Sequence, residues 1–506
     1  DEECRTGYAG QFCVREKMQD CTVFEYLSRR FTELQEEIAK VCEEMAHPEN
    51  DEEDMEWLFS QYQALLDRNE AMDGDNYENV IRRQLNAAGM GALENTRLSD
   101  ISGGEYKLLQ IMKEMLLAPN FLVLDEPDVF LDFENLNGLR RLINEFKGTI
   151  LAVTHNRYLL NHCFDKILHL ENGDLQEFDG TYSEYRCRLL RKKIELKFQH
   201  IEEQEEIART EEMVEILRKQ ATLMVNPTIG QAVNAKQSQL DRLLARQIKA
   251  PFIEVREPHI AFPQVEAGGE PEDGENGKQS GAHEGERKEI RTVLALTDYE
   301  LKFDEYLLHD VNFKVKEGEK AALIGANGTG KSTLIREIVK NENPAIRIAD
   351  GVNYACFSQL SAEEDRLSGG ERNLKHLEAL EHTGAELLLL DEPSAHLDLY
   401  AQSALEKAVK EYRGTVFMVT HDFYLAANCA DYVLLIEDNT VRRIRSRNFR
   451  KMVYDKYFDS SYLEADRKCQ QVEAGITEAF RRDDLAAADR LCSQLEDLCK
   501  SGTVNE

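Results

Sequence analysis

The chain has 506 residues, which is enough for two or three domains that each bury a core. Its 62 basic and 95 acidic residues leave a net charge of −33, so binding to nucleic acid through overall charge is disfavoured. Its 11 cysteines form no CxxC pair and no metal-ligand spacing, which predicts ordinary thiols of a reducing compartment, by default the cytoplasm. The absence of any run of about 18 apolar residues excludes a membrane-spanning helix.

An internal repeat organises the chain. Three stretches recur in the same order: ISGGE (101–105) as LSGGE (367–371), FLVLDEPDVFLD (121–132) as LLLLDEPSAHLD (387–398), and GTILAVTH (148–155) as GTVFMVTH (414–421). Each copy has a helical pattern before a continuously apolar strand, then a second helix and a second apolar strand. Strands without polar alternation are typical of parallel sheets covered on both faces. We therefore predict an α/β fold with two similar domains, whose mixed, mainly parallel sheets are flanked by helices.

The predicted domains follow from this repeat and from changes in composition between its copies. In chain order they are a first domain (1–185), a helical hairpin (186–257), a flexible acidic, Gly-rich tether (258–290), a second domain (291–460) and a helical C-terminal tail (461–506). The hairpin has helical apolar spacing on both sides of the tip TLMVNPTIGQ. Towards its end, Asp241 is outnumbered by six basic residues: Arg218, Lys219, Lys236, Arg242, Arg246 and Lys249. This stripe is either the solvated face of a coiled-coil spacer or a surface for RNA phosphates.

In the second domain, GANGTGKST follows the apolar strand KAALI and precedes a helical pattern, which is the context of a phosphate-binding P-loop. Its residues are Gly325, Ala326, Asn327, Gly328, Thr329, Gly330, Lys331, Ser332 and Thr333. The glycines allow successive backbone N–H groups to face phosphates at a helix N-terminus, where the helix dipole favours anions. Lys331 adds a positive charge between the phosphates, and Ser332 can bind Mg²⁺ through its hydroxyl.

Acidic and polar residues follow the strands of the same domain. Asp391 ends an apolar strand and is predicted to hold Mg²⁺, while Glu392 is placed to polarise the attacking water. Gln359, after the strand YACFS, is predicted to bridge the metal and that water. The predicted metal ligands are therefore Ser332, Gln359 and Asp391. His421 follows the strand TVFMVT and is predicted to sense the γ-phosphate. A histidine after a core strand is usually only a polar cap. The recurrence of this histidine as His155 in the first copy favours the functional role.

A second candidate anion cradle lies in the first domain. Ser102, Gly103 and Gly104 form a turn that opens a helix. The residues before this turn contain no Gly-x-x-x-x-Gly-Lys-Ser/Thr motif. The turn is therefore predicted to contact a phosphate that another part of the chain holds.

These motifs resemble those of the ATP-binding cassette superfamily, and two copies around a helical hairpin resemble the ABC-F family of translation factors and ribosome-protection proteins. The resemblance covers nearly all of residues 1–460. It implies two cassettes that face head to tail and hydrolyse ATP with Mg²⁺, each ATP lying between one P-loop and the other cassette's Ser-Gly-Gly turn. One such site joins the P-loop at 325–333 to Ser102, Gly103 and Gly104, with Gln359, Asp391, Glu392 and His421 on the P-loop side.

The resemblance also implies a second site, formed by Ser368, Gly369 and Gly370 with a first-cassette P-loop that this sequence does not contain. Gln11, Asp125, Glu126 and His155 match its remaining positions, with Glu126 and His155 as catalytic residues. Because these survive and the chain opens on Asp1, we expect truncation rather than natural decay, and residues 1–185 form a cassette without its P-loop portion.

Two details of the second cassette, residues 291–460, follow from the same resemblance. Its helical subdomain is expected to be reduced, because seven residues separate Gln359 from Leu367 whereas 89 separate Gln11 from Ile101. An aromatic side chain is expected to stack on adenine. Phe303 fits best, with Tyr306 and Tyr299 as alternatives.

In ABC-F proteins the hairpin reaches from the ribosomal exit site toward the peptidyl-tRNA. The resemblance therefore implies a cytoplasmic monomer with intramolecular cassette pairing. Its hairpin is expected to contact rRNA and tRNA, and the chain is expected to have no membrane span and no DNA partner. Regulation of translation and protection from antibiotics both stay open. The alternative is the ATPase subunit of an ABC transporter. A chromosome-structure or DNA-repair ATPase is disfavoured, because there the coiled coil splits a cassette.

Overall fold

The computed structural model describes residues 4–11, 20–46, 52–129, 131–171, 173–223, 227–246, 258–263, 291–302, 306–358, 369–457, 460–482 and 484–502. The chain divides into two compact units, Asp1–Cys163 with Glu257–Val453, and Phe164–Arg256 with Tyr454–Glu506. The first unit holds the paired motifs of both copies of the repeat, and the second holds the helical hairpin and the tail. Three predicted site residues, Phe303, Gln359 and Ser368, lie outside the described residues.

The first copy of the repeat forms a parallel sheet with helices. Its elements are β1 (Thr6–Ala9), α1 (Val23–Met45), α2 (Glu52–Ala71), α3 (Tyr77–Ala87), α4 (Gly103–Leu116), β2 (Phe121–Asp125), α5 (Phe133–Glu145), β3 (Thr149–Val153) and α6 (Arg157–His162). The strand order is β1-β2-β3, and all pairs are parallel. Thr22 begins α1 through a reciprocal capping box with Glu25, so the local sequence sets the start of that helix.

The second unit starts with a two-stranded antiparallel hairpin, β4 (Lys166–Glu171) and β5 (Asp174–Asp179). The long helices α7 (Tyr182–Leu223) and α8 (Pro227–Arg246) follow, and α8 starts at a proline, a residue suited to the first helical position. The sequence predicted the first domain to extend to residue 185, whereas the compact units divide after Cys163. The predicted domain boundaries therefore stay predictions.

The second copy of the repeat builds a larger sheet. Its elements are β6 (Thr292–Lys302), β7 (Tyr306–Lys316), β8 (Lys320–Ile324), α9 (Lys331–Lys340), β9 (Ile346–Ile348), β10 (Tyr354–Phe357), α10 (Gly369–Leu380), β11 (Leu387–Asp391), α11 (Leu399–Glu411), β12 (Thr415–Val419), α12 (Phe423–Cys429), β13 (Tyr432–Glu437), β14 (Thr440–Arg445) and α13 (Ser446–Tyr457). The main sheet has the order β10-β11-β12-β8-β13-β14, and β7-β6-β9 form a separate antiparallel sheet. Every residue of β11 and β12 is buried, as their apolar sequences predict.

The two copies differ at one strand. In the second copy β12 pairs with β8, the strand that leads into the P-loop, and Phe417 and Val419 of β12 are fully buried. In the first copy, β3 is the last strand of its sheet among the described residues. Leu151 and Val153 of β3 are 41% and 53% exposed. The edge of β3 is therefore an apolar strand surface in the position that a P-loop strand takes in the second copy.

The tail adds two helices to the second unit, α14 (Ser460–Arg481) and α15 (Leu485–Gly502). They form a core with α7, and its buried members are Cys187, Ile194, Ile476, Ala479, Ala488, Cys492 and Leu495. The helical patterns that the sequence shows after residue 460 are thus two helices of a three-helix core. Across the part of the chain that the structure covers, every helix is too short or too polar to span a bilayer.

Candidate nucleotide-binding site

The P-loop lies between β8, which ends at Ile324, and α9, which begins at Lys331. Gly328 and Gly330 have φ values of 82° and 87°, in the left-handed region that glycine adopts most readily. A Cβ atom on Gly330 would also lie 2.4 Å from the side chain of Leu301. The loop therefore packs closely against β6. Gly328 and Gly330 are favoured by their positive φ, and at Gly330 a side chain would also clash with Leu301.

Lys331 is folded back over this loop. Its Nζ donates hydrogen bonds to the carbonyl oxygens of Gly325, at 2.8 Å, and Ala326, at 2.7 Å. Burial lowers the pKa of Lys331, and the nearby carboxylates of Glu392, Asp132 and Asp391 oppose that shift. The ammonium group is thus held against the backbone of the loop by two carbonyl oxygens.

The predicted magnesium ligands Ser332 and Asp391 meet. Asp391 is the last residue of β11 and is 5% exposed, and its Oδ1 lies 3.1 Å from Oγ of Ser332, which donates a hydrogen bond to it. Burial raises the pKa of Asp391, while the hydrogen bond from Ser332 lowers it. A hydroxyl and a carboxylate oxygen beside a phosphate-binding loop are the donors that Mg²⁺ prefers, so these residues fit the ion.

Glu392 and His421 also lie together. The backbone N–H of His421 donates a hydrogen bond to Oε2 of Glu392 at 3.1 Å. The Nε2 atom of His421 lies 3.5 Å from Oε1 of Glu392. Glu392 has a φ of 50°, and its Oε1 is buried without a hydrogen-bond partner among the described residues. Burial raises the pKa of Glu392 to about 8, and burial with the charge of Lys331 lowers the pKa of His421 to about 3. The raised pKa gives Glu392 a higher proton affinity than an exposed carboxylate, and the lowered pKa keeps the His421 imidazole neutral.

The first copy repeats this geometry in part. Asp125 ends β2, Glu126 has a φ of 43°, and His155 Nε2 lies 3.9 Å from Glu126 Oε1. The side-chain amide of Gln11 donates a hydrogen bond to the carboxylate of Glu126. Lys107, which the sequence did not single out, donates from Nζ to the carbonyl oxygens of Gly10 and Gln11 at 2.6 and 3.0 Å. This buried lysine therefore fixes the backbone that carries Gln11.

The glycines of both Ser-Gly-Gly motifs lie at the start of a helix. Ser102 is the N-cap of α4, and its hydroxyl accepts from the N–H of Glu105 at 3.3 Å. Among the described residues, no atom lies within 4 Å of the Cβ position of Gly103, so the helix N-terminus is open at that residue with respect to this part of the chain. Gly369 and Gly370 begin α10, and a Cβ on Gly370 would lie 2.6 Å from the carbonyl oxygen of His396.

A direct contact joins the first copy to the second P-loop. The backbone N–H of Asn327 donates a hydrogen bond to Oδ2 of Asp132, over 3.2 Å. Asp132 is 8% exposed, and its Oδ1 also caps α5 by accepting from the N–H of Asn135 at 3.0 Å. The sequence shows Asp132 only as the last residue of the repeated segment FLVLDEPDVFLD (121–132). The local sequence can indicate that Asp132 caps α5. Its second hydrogen-bond partner, Asn327, lies in the other copy of the repeat.

A buried ion pair joins the two copies a second time. Arg157 donates to the carboxylate of Glu406 at 2.8 Å and to the hydroxyl of Ser403 at 3.0 Å. The Arg157 and Glu406 side chains are 13% and 10% exposed. The ring of Phe133 lies 5.9 Å from that of Phe423, so apolar contact accompanies the charge pair.

The alternatives for an adenine-stacking residue differ in exposure. Tyr299 is fully buried in the core of the second copy, so it has no free ring face for a nucleotide. Tyr306 is 44% exposed, with Nζ of Lys302 placed 4.6 Å from its ring centre. Phe303 is outside the described residues, and its role stays a prediction.

The chain is similar in sequence to known ATP-binding proteins. A family model described as ABC transporter matches residues 21–129 and 308–355, and a second model of the same description matches residues 168–262. The ATP-binding protein YdiF of Bacillus subtilis is 26% identical over 480 residues, covering 85% of this chain and 69% of YdiF. The energy-dependent translational throttle protein EttA of Escherichia coli is 25% identical over 484 residues, covering 86% of this chain and 81% of EttA.

A plant protein and a solved structure are also similar to this chain. ABC transporter F family member 5 of Arabidopsis thaliana is 26% identical over 457 residues, covering 80% of this chain and 61% of that protein. Among solved structures, the RNase-L Inhibitor has a TM-score of 0.46 and 18% sequence identity, covering 77% of this chain and 73% of that chain. The similarity to the curated relatives extends across both copies of the repeat and the hairpin between them.

Proposed function

This chain belongs to the ABC-F family of ATP-binding cassette proteins and hydrolyses ATP, and from that premise we propose that it binds the ribosome under the control of ATP. A relative named as a translational throttle protein supports a place of action in translation. Each cycle of ATP binding and hydrolysis would close and release the two cassettes and thereby change how firmly the chain holds its partner.

The ATP site that we propose lies between the second P-loop and the Ser102, Gly103 and Gly104 turn of the first cassette. The contact between Asp132 and Asn327 carries this assignment, because it places a first-cassette residue on the P-loop itself. The open N-terminus of α4 offers backbone N–H groups and a hydroxyl to the far side of the triphosphate. ATP binding would then draw the two cassettes together.

The hydrolytic roles that we propose follow from positions around the P-loop. Lys331 and the loop N–H groups would hold the β- and γ-phosphates, and Glu392 would accept the proton of the water that attacks the γ-phosphorus as the bond to ADP breaks. Oε1 of Glu392, which is buried without a hydrogen-bond partner among the described residues, supports this role, because it can accept a hydrogen bond from that water. His421 would hydrogen-bond the γ-phosphate as a neutral imidazole. Mg²⁺, held by Ser332, Asp391 and Gln359, would neutralise charge on the phosphates.

Two basic surfaces support binding to ribosomal RNA. On the hairpin, Arg218 and Arg242 are exposed, although Lys219 is paired with Glu215 at 2.9 Å, which reduces the net charge expected from sequence. A denser cluster occurs between residues 440 and 451, with Arg442, Arg443, Arg445, Arg447, Arg450 and Lys451 and no acidic residue. Arg442, Arg443 and Arg445 line an open groove of about 480 Å³. Local clusters of this kind can bind phosphates even in a chain of net charge −33.

Co-sedimentation with ribosomes tests the proposal. A Glu392→Gln variant should retain ATP and pellet with ribosomes in the presence of ATP, whereas Lys331→Ala, which loses the phosphate contact, should remain in the supernatant. Adding Arg445→Ala and Arg447→Ala to Glu392→Gln should weaken binding and flatten its dependence on salt. Recovery of Glu392→Gln with membranes and a permease, with none on ribosomes, would favour the transporter alternative instead.

The consequence of binding is either regulation of translation or protection from antibiotics. Drug-susceptibility testing of a host that expresses the gene separates the two. Reduced susceptibility to one class of ribosome-targeting drugs, lost in Lys331→Ala, would establish protection. Unchanged susceptibility across all classes, together with an effect of Glu392→Gln on protein synthesis, would establish regulation.

A further inference from the structure

A group of cysteines lies in the three-helix core of the second unit. Cys187 on α7 and Cys492 on α15 are buried, at 1% and 0% exposure, and Cys469 on α14 and Cys499 on α15 are partly buried in the same core. The sequence shows no metal-ligand spacing, because the residues come from both ends of the second unit. Helix packing brings together thiols 305 residues apart.

Cys187 and Cys492 lie side by side, with a carboxylate next to them. The Cys187 thiol is 3.9 Å from the Cys492 carbonyl oxygen, and the Cys492 thiol is 3.8 Å from the Cys187 carbonyl oxygen. A carboxylate oxygen of Glu496, one turn after Cys492, completes a group whose three ligand atoms all lie within 4.8 Å of one another. The two thiols and the carboxylate therefore converge on one point.

We propose that Cys187, Cys492 and Glu496 bind a zinc ion that joins α7 to α15. In a tetrahedral site with Zn–S bonds of about 2.3 Å, two sulfurs lie about 3.8 Å apart. The observed group meets that requirement after side-chain movements of about 1 Å or less, within the freedom of the cysteine and glutamate rotamers. Thiolate and carboxylate ligands at this spacing suit zinc rather than magnesium or calcium, which take oxygen ligands.

The charges around the group suit a divalent ion. Two thiolates balance the charge of the ion, and Arg191, whose Nε lies 2.5 Å from Oε1 of Glu496, balances the carboxylate. A carboxylate has two oxygens, so Glu496 can bind a metal through one and keep Arg191 on the other. Such an outer partner orients the ligand and holds its charge in a partly buried site.

The group also has a path to solvent. The side chains of Glu496 and Arg191 are 26% and 36% exposed, whereas both cysteines are buried. An ion can therefore enter past Glu496 and reach the thiols from the carboxylate side. The fourth position of a tetrahedral site would face this opening and take a water molecule.

Metal analysis of the full-length chain, purified under reducing conditions, tests the site. We expect about one zinc per chain, and after exchange with cobalt a thiolate-to-metal absorption band with the visible bands of tetrahedral cobalt. Both should disappear in the double variant Cys187→Ser with Cys492→Ser. They should persist in Cys429→Ala, which removes a buried thiol of the other unit.

A second variant tests the site even if the double variant does not fold. Glu496→Gln keeps the size of a partly exposed side chain and both thiols, and it should weaken zinc binding by about 10-fold or more. The proposal is overturned if the folded, reduced chain retains no zinc and gives no cobalt bands. It is equally overturned if Cys187 and Cys492 are found joined as a disulfide in metal-free protein, or if zinc content is unchanged in the double variant.

Discussion

The Oδ2 atom of Asp132, in the first cassette, accepts a hydrogen bond from the backbone N–H of Asn327, in the P-loop of the second cassette, over 3.2 Å. The two residues are 195 positions apart. Through this contact, a segment of the first cassette that has no phosphate-binding motif of its own packs against the second P-loop. It is the clearest link between the repeat that the sequence shows and the composite ATP site that we propose.

Asp132 should therefore be required for ATP turnover beyond its role as a helix cap. We expect Asp132→Ala to lower the ATPase rate by about 10-fold, because the P-loop loses a charged acceptor in a largely buried place. Asp398→Ala is the matched control, since Asp398 caps α11 in the same way, accepting from Tyr400 and Ala401. Both variants should lose about 1 kcal/mol of stability through the cap. An equal loss of activity in both would reduce Asp132 to a structural residue.

The Arg157–Glu406 pair should couple the two cassettes in stability. Removing one partner leaves a buried charge, so Arg157→Leu should cost about 3–5 kcal/mol in the free energy of unfolding. Adding Glu406→Gln to that variant should recover part of the loss, which a double-mutant cycle measures by thermal or denaturant unfolding. The exposed pair of Arg29 and Glu33 is the control, with an expected coupling of about 0.5 kcal/mol or less. Additive effects of Arg157→Leu and Glu406→Gln would contradict the coupling.

His162 should make the stability of the first unit depend on pH. Burial, with the charge of Arg140, lowers its pKa to about 4 in the folded chain, whereas an unfolded histidine has a pKa of about 6.5. The unfolded chain therefore binds the proton more readily, and the contribution of His162 is complete above pH 6.5 and lost as pH falls toward 4. We expect this loss to reach about 1–3 kcal/mol.

The measurement is thermal unfolding of the first unit between pH 4 and pH 7. His162→Gln should flatten the decline, because a neutral amide binds no proton in either state. His382→Gln changes an exposed histidine of the same unit and should leave the wild-type profile intact. Parallel profiles for wild type and His162→Gln would show that His162 does not cause the pH dependence.

Much of both cassettes is predictable from the sequence, because the signals are local. The strands β11 and β12 are continuous apolar runs and are buried throughout. The Gly-rich segment between β8 and α9 needs left-handed backbone that few other residues adopt. The pairing of Ser102 with Glu105 marks a helix start from four residues alone. In each case the determining contacts lie within one turn or one strand.

The contacts that join the cassettes could not be predicted in this way. Asp132 with Asn327 and Arg157 with Glu406 are separated by 195 and 249 residues. No periodicity or spacing encodes such pairs, since they depend on how two finished domains meet. Tyr299 shows the same limit: position near the P-loop made it an alternative for adenine stacking, but the core of the second copy buries its ring.

In the composite site that we propose, one ATP is bound by the second P-loop and is covered by the Ser-Gly-Gly turn of the first cassette. Retention of radiolabelled ATP by the Glu392→Gln chain after rapid gel filtration tests this claim most directly. Arginine placed at Ser102 would block the turn, and Ser368→Arg is the matched control in the other turn of the repeat. We predict that Ser102→Arg abolishes ATP retention while Ser368→Arg preserves it. Equal retention in the folded Ser102→Arg and Ser368→Arg chains would contradict the composite site.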